Sequence, residues 1–271
     1  MTEEMPLGRE VPYPEQYSPE LLYAVPRAAQ RARLGLGSRL PFHGTDIWNA
    51  WELTWLAPNG MPRYATAEVR VPFDSPNIIE SKSLKLYLNS FAMSRYASAE
   101  DVAETVEADL SDCTGADVSV NLRRASSTGG SRIARLPGFC LDSLQVDCDA
   151  DTVDPSLLRC ESGEAVSEDL YTHLLRSLCP VTHQPDSGSV LVTYAGPRID
   201  REGLLRYIVS FRRHEDFHES CVERMFVDIL EQCSPERLTV YARYQRRGGI
   251  DINPFRSNFE ADVPNTRLWR Q

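Results

Sequence analysis

Slid against itself by 120 residues, the chain repeats. Leu84 meets Leu204, Tyr87 meets Tyr207, Ser90 meets Ser210, Phe91 meets Phe211, Val102 meets Val222, Leu110 meets Leu230, Cys113 meets Cys233 and Val120 meets Val240. Eight identities in 37 ungapped positions, mostly apolar, point to two copies of one supersecondary unit. The competing reading is chance agreement between two amphipathic helix pairs. Local pattern gives each copy the same order. In the first, WNAWELTWL and YATAEVRV alternate as strands around the turn signal APNGMP, two helices follow through ESKSLKLYLNSF and DVAETVEADL, and ADVSVNL closes as a strand. In the second, GSVLVTYA, REGLLRYIVSF, HESCVERMFVDIL and RLTVYARY read as strand, helix, helix and strand. The fold class is therefore α+β, and the first forty or so residues, 1–41, read as an extension before the core.

The positions where the copies differ are informative. Glu80, Ser81 and Lys82 face Asp200, Arg201 and Glu202, and His218 and Glu219 face Ser98 and Ala99. With a two-residue shift TWLAP lies over RSLCP, so Ala57 stands where Cys179 stands. One composite site shared between the copies would account for each copy holding polar groups that the other lacks; unrelated surface drift would also do so.

Charge and cysteine usage narrow the class. A net charge of −10 argues against a large sequence-independent nucleic-acid interface, which needs clustered Lys and Arg. The seven cysteines form no CxxC pair, which fits reduced thiols in a cytosol better than a zinc knuckle or a disulfide framework. No stretch reaches the length of a membrane span, and the acidic start lacks the basic head and apolar core of a signal peptide, so a cytoplasmic protein is expected.

Cys179 lies in SLCPVTHQPDSG, a segment with two prolines and a glycine before a strand. Loops carry a disproportionate share of chemistry, whereas Cys221 and Cys233 sit on an apolar helix as core residues do. Asp186 suits a proton donor if buried, or an Asx turn. HEDFH, His214 to His218, matches H-E-x-x-H and would bind zinc if both histidines shared a helix face and found a third ligand. ESKSLK, with Lys82 and the hydroxyls of Ser81 and Ser83, and RYQRRGG, with Arg247 beside Gly248, each read as a phosphate site or as a solvated basic edge. There is no GxGxxG, so a nucleotide would be held outside a Rossmann fold.

ESKSLKLYLNSF, CPVTHQPD, FHESCVERMF and YARYQRRGGIDINPFRSN, in that order, resemble the NADPH-dependent nitrile reductases of queuosine biosynthesis, the 7-cyano-7-deazaguanine reductases, in their longer two-module form. The resemblance runs from Phe42 to Gln271. It implies tandem tunnelling-fold modules over 42–150 and 151–271, each an antiparallel sheet with two helices on one face, assembled as a homodimer without membrane or direct nucleic-acid partner. It also implies roles. Cys179 would add to the nitrile carbon as a thioimide and Asp186 would supply the proton. Glu80, Ser81, Lys82, His218 and Glu219 would bind the deazaguanine, and Lys82, Ser83, Arg247 and Gly248 would hold NADPH. No metal is implied, and His214 is left as solvent-facing helix polarity.

Overall fold

The computed structural model describes residue 14, residues 16–123 and residues 133–271; most of the amino-terminal extension before Tyr17 lies outside them. It is an α+β protein of antiparallel sheets and few helices. No helix among the described residues is long and apolar enough to cross a membrane. Two compact units are present. One comprises the described residues of 1–30, 46–132 and 246–251, the other those of 31–45, 133–245 and 252–271.

In the first unit, β1 (Ala24–Pro26) pairs antiparallel with β4 (Asn77–Ile79), and β3 (Pro62–Pro72) lies between β2 (His43–Leu56) and β5 (Ser119–Arg123). α2 (Ser81–Ser90) and α3 (Ala99–Thr114) supply the buried Leu84, Tyr87, Phe91, Val102, Val106 and Leu110. Spacings of three and four put these residues on one stripe of each helix. α3 opens on a full capping box, Ser98 with Asp101, and ends at Gly115 in the left-handed region, φ 71°. The described residues of the extension up to residue 30 are tied to this unit. The Tyr17 ring packs edge-on to Phe91 at 5.2 Å, its phenol donates to Asp109 at 2.8 Å, and buried Arg27 pairs with buried Asp46 at 2.5 Å.

In the second unit the strand order is β10 (Ile250–Ser257), β9 (Arg237–Tyr244), β8 (Pro185–Gly196), β7 (Val166–Leu178) and the short β6 (Phe139–Cys140). The pairs β10·β9, β9·β8 and β8·β7 are antiparallel, and β6 joins β7 in parallel. α4 (Arg201–Ser210) and α5 (His218–Cys233) follow β8. Arg31, in the short helix α1 (Ala28–Arg33), meets Glu223 at 2.7 Å; Glu223 also takes the wholly buried Arg256 at 2.9 Å.

The repeat is present, in a corrected register. α2 and α4 keep the offset of 120, and in each a serine hydroxyl bonds the tyrosine carbonyl one turn back, Ser90 to Tyr87 and Ser210 to Tyr207, both at 2.6 Å. Backbone bridges agree: Leu56 N–H donates to Ser94 O and Tyr96 N–H to Leu56 O, while Leu178 N–H donates to His214 O and Asp216 N–H to Leu178 O. The second helices are offset by 119 instead. Tyr87 donates to Asp109 and Tyr207 to Asp228, and the buried stripe Val102, Val106, Leu110, Thr114 answers to Cys221, Met225, Ile229, Cys233. The matches of Val102 with Val222, Leu110 with Leu230 and Cys113 with Cys233 are therefore one residue out. A strand aligns again at 120: Val120 pairs with Val69 as Val240 pairs with Val192. One residue is lost before α5 and regained after it, in loops, where backbone length is cheap to change.

Candidate active site

Cys179 lies at the closed end of the β7–β8 hairpin. Its N–H donates to Gln184 O at 2.9 Å, and its carbonyl accepts from His183 N–H at 3.0 Å. His183 turns the chain with φ 56°, in the left-handed region, and its ring meets Glu215 Oε1 at 2.9 Å. His183 thus shapes the loop after the thiol. In the other copy Ala57 N–H donates to Met61 O at 2.9 Å and Gly60 turns at φ 84°, which confirms Ala57 as the counterpart of Cys179.

Strand alternation then assembles a face. Ser177 pairs with Asp186 in the ladder and Tyr244 with Gly188, and side chains two apart on a strand share a side, so Cys179, Ser177, Asp186 and Tyr244 look the same way. Asp186 is 5% exposed, Ser177 and Tyr244 are buried, and the Cys179 side chain is half-buried. The start of α5 lies over this face: His218 Nε2 is 3.8 Å from Asp186 Oδ2, and the His218 ring stands perpendicular to Tyr244 at 4.1 Å. Burial first, then the neighbouring Cys221 and Asp186, push the Tyr244 phenol well above its ordinary pKa, so it stays neutral. Burial likewise raises the Cys221 thiol and brings Cys113 to about 11, which marks both as structural thiols.

The corrected register changes what His218 and Glu219 replace. His218 now answers to Ala99, Glu219 to Glu100, and the cap Ser98 to Phe217. α5 has no side-chain cap, forgoing a contribution of about 1 kcal/mol that Ser98 makes to α3. Glu219, 3% exposed, occupies the first turn at the positive end of the helix. One unit thus holds a thiol, a buried carboxyl and an imidazole on this face, with a second buried carboxylate, Glu219, in the first turn of α5.

HEDFH does not form a zinc-binding helix face. His214 ends a 3-10 turn, Phe211–Arg213, and α5 begins only at His218. Nor is His214 the solvent-facing helix residue read from the sequence. Its ring packs edge-on to Phe211 at 5.3 Å, and burial lowers its pKa against the opposing pull of Asp216.

The other predicted residues gather in the first unit. Glu80, fully buried, is the N-cap of α2: its two carboxylate oxygens accept from Lys82 N–H at 2.7 Å and Ser83 N–H at 2.8 Å. Burial pushes the carboxyl up while those amides pull it down. Ser83 is buried too, its hydroxyl donating to Glu80 O and accepting from Tyr23 N–H. Ser81 and Lys82 are half-buried at the mouth of the helix. Arg247 and Ile250 bond each other's backbone across Gly248 and Gly249, whose φ values of 59° and 82° make a type I′ turn that side chains would strain. A Cβ on Gly248 would stand 3.2 Å from the Lys85 side chain, so backbone and lysine approach closely there. Gly249 O accepts from Trp51 N–H, Asp251 takes the Asn49 amide and the Trp51 indole, and Arg246 lies over the Trp51 ring at 5.9 Å. Lys82, Lys85, Arg246 and Arg247 with a side-chain-free turn make a donor set that suits phosphates, so these residues fit a phosphate-bearing dinucleotide.

Tyr244 and Ser177 were missed at the sequence level. Tyr244 ends the strand RLTVYARY as one more aromatic and reads as core; only pairing with β8 shows it beside Asp186.

Comparison with known proteins identifies the family. Residues 13–122 match the family model described as "Nitrile reductase, 7-cyano-7-deazaguanine-reductase N-term", and residues 185–262 match "QueF-like protein". The class so defined is that of the nitrile reductases. A protein of Burkholderia ambifaria is 54% identical over 99% of both chains, and one of Bordetella pertussis is 52% identical over 98% of both; each is named NADPH-dependent 7-cyano-7-deazaguanine reductase. This chain belongs to the NADPH-dependent 7-cyano-7-deazaguanine reductase family. A solved archaeosine synthase QueF-Like, in the apo form, aligns over 38% of this chain and 100% of its own at 20% identity, with a TM-score of 0.32.

Proposed function

We propose that this chain reduces the nitrile of 7-cyano-7-deazaguanine to the aminomethyl group with two molecules of NADPH, a step of queuosine biosynthesis, and that Cys179 forms the covalent intermediate. The observation that carries the residue assignment is the hairpin end, where a half-buried thiol shares a strand face with a buried carboxylate. Sulfur adds to the nitrile carbon: an S–C bond forms, one C–N π bond breaks, and the thiol proton ends on nitrogen, giving a thioimide. Asp186 is the group that moves that proton, and His218 beside it stabilises whichever carboxyl state results. NADPH, when bound, supplies two hydrides in succession to that carbon, nitrogen taking a proton from water each time and the C–S bond breaking between them to return Cys179.

The purine edge presents N–H donors, so buried carboxylates suit it. We assign Glu219, with His218, to that edge in the second unit and Glu80, with Ser81 and Lys82, to the same chemistry in the first. Lys82, Arg247 and Gly248 would hold the NADPH phosphates; Ser83, engaged at the helix start, would act by keeping that turn in place. The modules are taken as tandem tunnelling folds over 42–150 and 151–271, in a cytoplasmic homodimer; sedimentation at the mass of a monomer would overturn the dimer.

Purified protein should oxidise two NADPH per nitrile, and a ratio of one or no oxidation would overturn the reaction. Asp186→Asn should lower kcat by about 10²-fold or more with nitrile affinity changed less than about threefold; a kcat close to the parent's would remove Asp186 from the proton path. Arg247→Ala should raise KM for NADPH about tenfold and leave KM for the nitrile nearly constant, since one charge-assisted contact is worth about 1.5–3 kcal/mol. The reverse pattern would count against the cofactor assignment.

A further inference from the structure

A cavity of about 540 Å³ in the second unit is lined by Cys148, His173, Leu174, Leu175, Arg176, Ser187, Val209, Arg212, Gln245 and Arg270. It collects three arginines. Elsewhere in the unit Arg198 and Arg201 meet Glu168, Arg206 meets Glu202, Arg213 meets Asp151 and Arg224 meets Asp228, as the acidic balance of the chain leads one to expect. Among the described residues Arg176, Arg212 and Arg270 have no carboxylate within ion-pair distance. Two of them are held by backbone instead: Arg176 Nη1 donates to Arg212 O, and Arg270 Nη1 to Gly188 O at 3.1 Å. A guanidinium has five N–H donors, so each anchor leaves most of the fork available. The acid acting on Arg270 at longer range, Asp142, is taken up by the Thr172 hydroxyl and His173 N–H. His173 is fixed by Ser189 at 2.6 Å, and Gln245 by its N–H to Ser187 O at 2.9 Å.

We propose that this cavity binds a small phosphate-bearing molecule, its charge taken by Arg176, Arg212 and Arg270. Planar guanidinium forks match phosphate oxygens, and Leu174, Leu175 and Val209 give the cavity an apolar wall. Arg176 and Ser187 are ladder partners, one step from the pair Ser177 and Asp186, so by alternation these two side chains lie on the opposite strand face from Cys179. The site is separate from the residues assigned to the reaction.

The test is titration with inorganic pyrophosphate, followed by calorimetry, against sodium chloride at matched ionic strength. Saturable binding is expected, weakened roughly tenfold or more in Arg212→Gln and in Arg270→Gln, with KM for NADPH within about twofold of the parent in both. Absence of saturable binding in the parent protein would overturn the proposal without any variant. Binding that persists in both variants, or that is lost instead in Arg247→Ala, would place the anion elsewhere and overturn it equally. Nitrile turnover is scored separately, so failure here is distinct from failure of the proposed reaction.

Discussion

Cys179→Ala is expected to abolish the covalent adduct seen by intact mass after mixing with nitrile, and to lower turnover by at least about 10³-fold. No other group on the face can replace the sulfur. Asp186 is a buried carboxyl, His218 is held against Tyr244, and Cys221 is a buried thiol whose pKa burial has raised. The fold should be untouched, and the protein itself supplies the control: Ala57 occupies the equivalent hairpin position with the same outward N–H bond. The melting temperature of the variant should therefore stay within about 2 °C of the parent's, as surface-level changes do. An adduct or near-parent turnover in the variant would remove Cys179 from the mechanism.

The largest effect on stability is expected at Glu223. Its carboxylate lies between Arg31 and Arg256, with the Arg256 side chain wholly inaccessible. Glu223→Ala would leave that guanidinium buried without the charge that compensates it, a loss of about 3–5 kcal/mol. For a chain of this size that corresponds to a fall in Tm of roughly 10 °C. Glu223→Gln, which keeps shape and acceptor but not charge, should fall between. A Tm for Glu223→Ala within about 2 °C of the parent's would show that the cluster contributes little.

Much of this was legible in sequence. Cys179, Asp186, His218 and Glu219 fall in one unit, as their order in the chain leads one to expect, whereas Arg247 and Gly248, which by position belong to the module 151–271, fall in the first unit with Lys82 and Ser83. What was not legible depends on contacts across the sheet or helix pair. An identity at Val102 and Val222 looks the same whether or not the helices share that register; only the Tyr–Asp bonds, Tyr87 to Asp109 and Tyr207 to Asp228, decide it. The same blindness made HEDFH look like one helix, since nothing local announces the break before His218. Ser83 was read as a phosphate ligand from its hydroxyl, yet burial commits that hydroxyl to the helix start.

The segment 246–251 belongs to the first unit although the rest of that unit is complete by residue 132. A ribosome adding about 5–20 residues per second delivers Gly249 and Asp251 on the order of 10 s after β2 and β3 have emerged. Through that interval the Trp51 amide and indole and the Asn49 amide lack the partners that Gly249 and Asp251 give them in the finished protein. Birth of the chain is thus ordered: the turn that carries Arg247 is the last part of its unit to leave the ribosome, and until then the strand it bonds offers an unpaired edge to the crowded cell.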